Sequence, residues 1–305
     1  MGTPDFAVAS LESILNANYN VVGVITAPDK PAGRGRKLQE SPVKKFAVSK
    51  GLKVLQPTNL KDQTFIEELK ALEPNVQVVV AFRMLPKVVW DLPKFGTFNL
   101  HASLLPQYRG AAPINWAIIN NETKTGVSTF FLDEKIDTGA MILQKEIDIA
   151  PEESVGELHD KLLELGSGLV VETLELIENG NLTPTPQPFN EILKDAPKLN
   201  RENTKINWDD SLDQIYNLIR GLNPYPAAWT TIFGESWKVF AVRPVESDLD
   251  RPPGTMFTDH KAKLLVQTGN GWLAIEELQM PGKKRMKIAE LLRGNPLPEL
   301  ETLKN

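Results

Sequence analysis

Cysteine is absent from the 305-residue sequence, which removes disulfides, thiolate nucleophiles and cysteine-held zinc together. Histidine is scarce, at positions 101, 159 and 260, and that spacing fits no metal motif, so no metal is expected. His159 falls in a helical pattern, where a surface position is the simpler explanation. No apolar run approaches the roughly 20 residues that cross a bilayer. The start, Met1-Gly2-Thr3-Pro4-Asp5, has neither the basic nor the apolar region of a signal peptide. These absences point to the cytoplasm. "GRGRKL" fails at the last glycine of G-x-G-x-x-G, and G-x-x-x-x-G-K-[ST], G-x-S-x-G and H-E-x-x-H are missing. Nicotinamide binding, phosphate loops, serine elbows and zinc proteolysis therefore have no support.

What is present begins with charge. The net charge of −5 argues against a chain coated with basic residues. Residues 29–53 run the other way, with eight Lys or Arg against Asp29 and Glu40, a local field that attracts polyanions. A solvated loop and helix face is the plain alternative for such a stretch.

The length suits two domains. Thr3 with Pro4 reads as the start of a helix, and "VVGVIT" (21–26) as a buried strand. "SPVKKFAVSK" (41–50) and "TFIEELKAL" (64–72) read as helices, and "VQVVVAF" (76–82), apolar at nearly every position, as a strand covered on both faces. "TFNLHA" (97–102) is a further strand, "APINWAIIN" (112–120) a helix, 126–133 with 140–149 a strand pair, and 154–179 a long helix. The alternation predicts an α/β fold with a doubly wound, mostly parallel sheet over 1–180. Residues 181–204 carry the prolines of a linker. The stretch 205–305 predicts one amphipathic helix and five short strands, a small OB-like β-barrel.

Within "NLHASLLPQYRG" (99–110), Asn99 and His101 share one strand face while Phe98 and Leu100 point into the core. Ligands of open α/β sheets bind beyond the carboxyl ends of strands, where this strand breaks into a loop. An amide donates to a developing oxyanion, and an imidazole accepts, donates or carries a proton near neutral pH. A loop-capping Asn and a satisfied core His remain the bland alternative. Asp137-Thr138-Gly139 adds a carboxylate in a turn between strands, with Gly139 free to take positive φ. A plain turn aspartate is again the alternative. Aspartic-protease chemistry is excluded, because it needs two such carboxylates and the sequence has one copy.

These stretches carry a resemblance. "GTPDFA" (2–7), "PDKPAGRGRKL" (28–38), "SPVK" (41–44), "VVVAF" (78–82), "NLHASLLPQYRGAAPINWAI" (99–118), "TGVSTFFLDEKIDTGAMI" (125–142), "LNPYPAAWT" (222–230) and "PGKKRM" (281–286) resemble the family of methionyl-tRNA formyltransferases. The Asn-x-His, Ser-Leu-Leu-Pro and Asp-Thr-Gly set marks the wider formyltetrahydrofolate-dependent group, and the basic loop with the C-terminal module narrows it.

The resemblance implies a Rossmann-like formyltransferase domain and transfer of formyl from 10-formyltetrahydrofolate to the α-amine of methionine on initiator tRNA. It implies Asn99, His101 and Asp137 as the catalytic trio. Folate would lie along Phe82, Met84 and Leu85, the turn of Ser103, Leu104, Leu105 and Pro106, and the loop holding Asp133 and Ile136. Arg34 would contact the acceptor arm, supported by Lys30, Arg36 and Lys37, with Lys283, Lys284 and Arg285 adding surface. A monomer without membrane attachment is expected. Two departures stand out. Relatives carry an apolar strand before "GTPDF" that this sequence does not show, so its sheet neighbours should expose apolar edges. Ala102 stands where some relatives have Gly, which extended backbone tolerates. A formyltransferase for an amino sugar would keep the trio without the basic loop, and a catalytically silent tRNA-binding relative would keep the loop without the trio.

Overall fold

Capping chemistry explains where several helices begin. The computed structural model describes residues 1–32, 37–188, 192–247, 250–294, 297 and 300–302. Ser41 accepts the Lys44 N–H at the start of Pro42–Ser49, and Asp62 accepts that of Phe65 at the start of Gln63–Ala71. Ser211 and Gln214 form a capping box before Leu212–Leu222. Each bond satisfies an N–H that a helix leaves orphaned. The first helix corrects the sequence expectation. It runs Asp5–Asn16 with the extended Pro4 as its cap and no side-chain cap bond, so Thr3 lies one residue outside it.

The chain divides into two compact units, residues 1–110, 126–147 and 160–195, and residues 111–125, 148–159 and 196–305. In the first, Val24–Ile25 pairs in parallel with Val54–Leu55. Gln77–Val80 pairs in parallel with Thr97–His101, whose other edge pairs antiparallel with residues 128–131. Met141–Asp148 completes this four-stranded ladder. The predicted strand 21–26 is thus reduced to two residues.

Met1 and Gly2 lie between the two ladders. The Gly2 N–H donates to the Ile25 carbonyl at 3.0 Å and the Val80 N–H to the Met1 carbonyl at 2.9 Å. Beyond them, residues 21–25 and 76–78 line a cavity of about 490 Å³, together with Leu11, Ile14, Leu72 and Ile177. Val21, Val22, Val24, Ile25, Val76 and Val78 give this space much of its apolar lining. The core beside it gathers Ile25, Leu55, Phe65, Leu69, Val79, Leu85 and Val89, with Phe82 and Leu132 packed against them.

The second unit contains the OB-like β domain. Its strands lie in the order Ala228–Ile232, Glu235–Val245, Trp272–Gln279, Leu264–Gln267, Thr255–Thr258 and Leu300–Thr302, with Met286–Lys287 beside Trp272–Gln279. The pairings are antiparallel. Two of these strands, Met286–Lys287 and Leu300–Thr302, go beyond the five the sequence predicts, because two or three residues are too few to show a period of two. Trp208, Trp237, Ile215, Ile219 and Leu222 fill the core. No helix is long and apolar enough to cross a membrane among the described residues.

Candidate active site

Alternation along Thr97–His101 buries Phe98 and Leu100 in the core and sets Asn99 and His101 on the opposite face, as expected. The chain then folds back over the strand end. Residues 102–108 cover His101, leaving it only 6% exposed, and the edge of its ring meets Phe130 at a centroid distance of 6.5 Å. His101 Nε2 lies 2.8 Å from the carbonyl oxygen of Tyr108. A carbonyl only accepts, so Nε2 carries a proton and donates it, and Nδ1 is the nitrogen left for chemistry.

That nitrogen faces Asp137. The separation from Nδ1 to Oδ2 is 3.8 Å, longer than a direct hydrogen bond. An amine or a water seated beside the pair can reach both. Asp137 Oδ2 accepts the Gly110 N–H at 3.0 Å, which fixes the carboxylate. Asn99 is half-buried and its side-chain amide has no partner among the described residues. That amide, on the same strand face as His101, is open to water or to a bound ligand.

The Asp-Thr-Gly turn uses its residues differently from the sequence expectation. Asp137 itself takes the left-handed conformation, at φ 54, and Gly139 is not among the positive-φ glycines. Aspartate tolerates that region better than most residues. Gly139 is required by proximity instead, since a Cβ there would stand 1.7 Å from the Phe131 carbonyl oxygen. Tyr108, at φ 60, is left-handed too, so the residue that bonds His101 Nε2 and the one that faces Nδ1 both sit in a conformation non-glycine residues seldom adopt.

The remaining sequence-derived positions separate into groups. Phe82, Leu85 and Leu132 pack in one cluster, which brings the 80–86 and 132–139 loops together. Met84 and Ile136 are more than half exposed on those loops, and Leu104 and Phe82 are half-buried. Ser103, Leu105 and Pro106 are buried. Ser103 Oγ donates to the Gln107 carbonyl at 2.7 Å, so this serine builds the turn. Asp133 is exposed and also serves its own loop, accepting from the Lys135 N–H at 2.9 Å and from Thr138 Oγ1 at 2.8 Å.

Of the basic residues, Lys30, Lys283 and Lys284 are exposed. Arg34 and Arg36 lie outside the described residues, as does the side chain of Lys37. Arg285 is engaged: it ion-pairs with Glu277, donates to Asn223 Oδ1 at 3.1 Å and lies 4.5 Å over the Phe240 ring. Nearby in sequence to the basic loop, Lys44 is paired with Asp29 and Glu40. Hydrogen bonds from Lys44 and Gln56 hold the Asp29 carboxyl below its usual range.

Sequence reasoning missed several supporting groups. Ser128 Oγ donates to the Ser103 carbonyl at 2.6 Å and accepts the Leu105 N–H at 3.2 Å. Gln144 Nε2 donates to the Leu105 carbonyl at 3.0 Å. Gln187, from the proline-rich segment, reaches the Asp137 turn. Isolated polar residues that act on backbone carbonyls of another segment leave no periodic mark in a sequence.

Comparison with known proteins follows the same lines. Residues 1–174 match the family described as formyl transferase, and residues 198–296 match the formyl transferase C-terminal domain. The chain is 58% identical over 298 residues to the methionyl-tRNA formyltransferase of Flavobacterium johnsoniae, covering 96% of this chain and 94% of that one. It is 50% identical over 312 residues to the Bacteroides fragilis enzyme of the same name, covering 100% and 96%. Among solved structures it superposes on WlaRD, a sugar 3N-formyl transferase, with a TM-score of 0.65 at 23% identity over 93% of this chain and 97% of that one. HypX from Aquifex aeolicus, in complex with tetrahydrofolic acid, gives a TM-score of 0.60 at 19% identity over 85% of this chain. The chain spans about half of HypX, 47% of its length. Both structures share the fold.

Proposed function

The chain belongs to the formyl transferase family and formylates methionyl-tRNA, and from that premise we propose that Asn99, His101 and Asp137 carry formyl from 10-formyltetrahydrofolate to the α-amine of methionine on the initiator tRNA. The single observation behind this assignment is that His101 Nδ1 faces the Asp137 carboxylate at the end of the strand that carries Asn99 on the same face.

The chemistry follows from where the atoms point. The amine nitrogen attacks the formyl carbon, and the carbonyl oxygen becomes an oxyanion. The Asn99 amide donates to that oxygen, joined by Nδ1–H when His101 is charged; one such donor is worth ~100- to 1,000-fold in rate. Asp137 takes the proton released by the amine, directly or through a water, and the 3.8 Å gap leaves room for the transfer. Collapse breaks the bond from the formyl carbon to the folate nitrogen, which takes up the proton that Asp137 received, directly or through a water, as it leaves. Holding both reactants beside these groups supplies a further part of the rate. No step calls for a metal.

For the donor, Phe82, Met84, Leu104 and Ile136 offer apolar surface to a flat pterin, while Leu85, buried in the core, supports the loop from behind. The buried Ser103, Leu105 and Pro106 shape the turn beneath, and Asp133 stiffens the opposite loop. For the tRNA, Lys30, Arg34, Arg36 and Lys37 meet the phosphates of the acceptor arm, and Lys283 and Lys284 add charge on the β domain. Arg285 braces that surface through Glu277 and Phe240. The enzyme works in the cytoplasm as a monomer.

An amino-sugar acceptor would keep the trio and have no use for the basic loop. Offering the enzyme 10-formyltetrahydrofolate with charged initiator tRNA and a nucleotide-linked amino sugar in the same reaction decides between them. Formyl found on the tRNA alone supports the reading, and formyl found on the sugar overturns it.

A further inference from the structure

We propose that Gln187, from the proline-rich segment after the long helix, is a positioning residue for the reaction: it sets the Asp137 turn against the segment that holds His101. This rests on the functional reading above but draws on separate observations.

Gln187 is 2% exposed, and its amide is used completely. Nε2 donates to the Asp137 carbonyl at 3.0 Å and to the Gly139 carbonyl at 2.9 Å. Oε1 accepts from Arg109 Nε at 3.2 Å and Nη2 at 2.5 Å. This pattern fixes the orientation of the amide, because the opposite assignment would set its oxygen against two carbonyls and its nitrogen against a guanidinium. The backbone delivers it there: Thr185 and Met141 exchange both main-chain bonds, at 2.8 and 2.9 Å. The segment expected to be a plain linker is at this point an added edge to the sheet.

The bonds around Gln187 close a ring through the catalytic groups. His101 donates to the Tyr108 carbonyl, Arg109 follows Tyr108 and donates to Gln187, and Gln187 donates to the backbone of Asp137. Asp137 accepts in turn from the N–H of Gly110. The imidazole is thereby anchored to residues 108–110 at one end and the carboxylate to the same three residues at the other. Gln187 is the side chain that ties the left-handed Asp137 backbone into this ring, and removing it frees the turn to relax from a disfavoured conformation. The 3.8 Å spacing between Nδ1 and Oδ2 would then drift.

The test uses the full chain and three variants. Gln187→Met keeps the length and removes every polar bond. Gln187→Glu keeps the acceptor for Arg109 but loses the donor to the two carbonyls. Gln187→Asn retains the amide on a side chain one methylene too short. Steady-state formyl transfer, thermal unfolding and amide hydrogen exchange across 133–141 are measured for each. We expect kcat to fall about 10- to 100-fold in all three, a scale typical of misplacement by an ångström. KM for tRNA and folate should stay within about threefold, and exchange in the Asp137 turn should accelerate. A Glu variant as active as the parent, with the Met variant impaired, would assign the effect to Arg109 and overturn the claim about the turn. Exchange in the turn left unchanged in the Met variant also overturns it. The exchange measurement does not depend on the identity of the acceptor, so a parent without transfer activity contradicts the functional reading and leaves this placement open to refutation by exchange alone.

Discussion

His101 and Asp137 face one another across 3.8 Å, from Nδ1 to Oδ2, while each is held by a different bond to the 108–110 segment. The pair is therefore close without being joined. Such a gap suits a proton that arrives with the substrate, and it makes the two residues separable by mutation.

Replacing Asp137 with Asn retains an acceptor for the Gly110 N–H and removes the charge. The variant should fold with an unchanged melting temperature and lose ~100- to 10,000-fold in kcat. His101→Ala should lose a comparable factor, and the double variant should lose far less than the product of the two, because groups that serve one transition state as a unit are not additive. Full additivity in kcat would show that they act independently.

Gly139→Ala tests the close approach of the turn to Phe131. The added methyl would meet the Phe131 carbonyl, and forcing atoms into a filled site costs about 1–3 kcal/mol or more. A lower melting temperature and loss of transfer are expected together. An alanine variant as stable as the parent would mean the turn has space the structure does not give it.

These two cases show what the sequence carried and what it did not. Strand alternation alone places Asn99 and His101 on one face, since a period of two is a property of the chain. The close approach at Gly139 was invisible, because it depends on where Phe131 lies. The same holds for Gln187 and Ser128, which bond to carbonyls of distant segments. Boundaries behaved similarly: the long helix was legible to within a residue at each end as Val155–Glu178, whereas Val24–Ile25 is shorter than its apolar run because pairing partners, not propensity, end a strand.

The two basic clusters should respond differently to mutation. Charge reversal at Lys30 and Lys37 should raise KM for tRNA and reduce its salt dependence, leaving KM for folate unchanged. Arg285→Ala should instead lower thermal stability, because the guanidinium is engaged by Glu277, Asn223 and Phe240. A large rise in KM for tRNA with unaltered stability in that variant would restore Arg285 to the binding surface.

Acid should weaken one turn in the β domain. Backbone N–H groups of Lys263, Ala262 and Lys261 lower the Asp259 carboxyl to about 2. A carboxyl lowered on folding contributes its stability above the ordinary carboxylate range, and that contribution fades as pH falls toward 2. Asp259→Asn should therefore melt below the parent at pH 7, with the difference narrowing between pH 4 and pH 2. A difference that is constant with pH would show that the charge at Asp259 contributes nothing.

The most direct test of the whole account is formyl transfer from 10-formyltetrahydrofolate to charged initiator tRNA, measured with the parent chain and His101→Ala side by side after circular dichroism shows both folded. The account predicts N-formylmethionyl-tRNA from the parent and a rate at least about 100-fold lower from the variant. Equal transfer by a folded His101→Ala protein, or none by a folded parent, would contradict it.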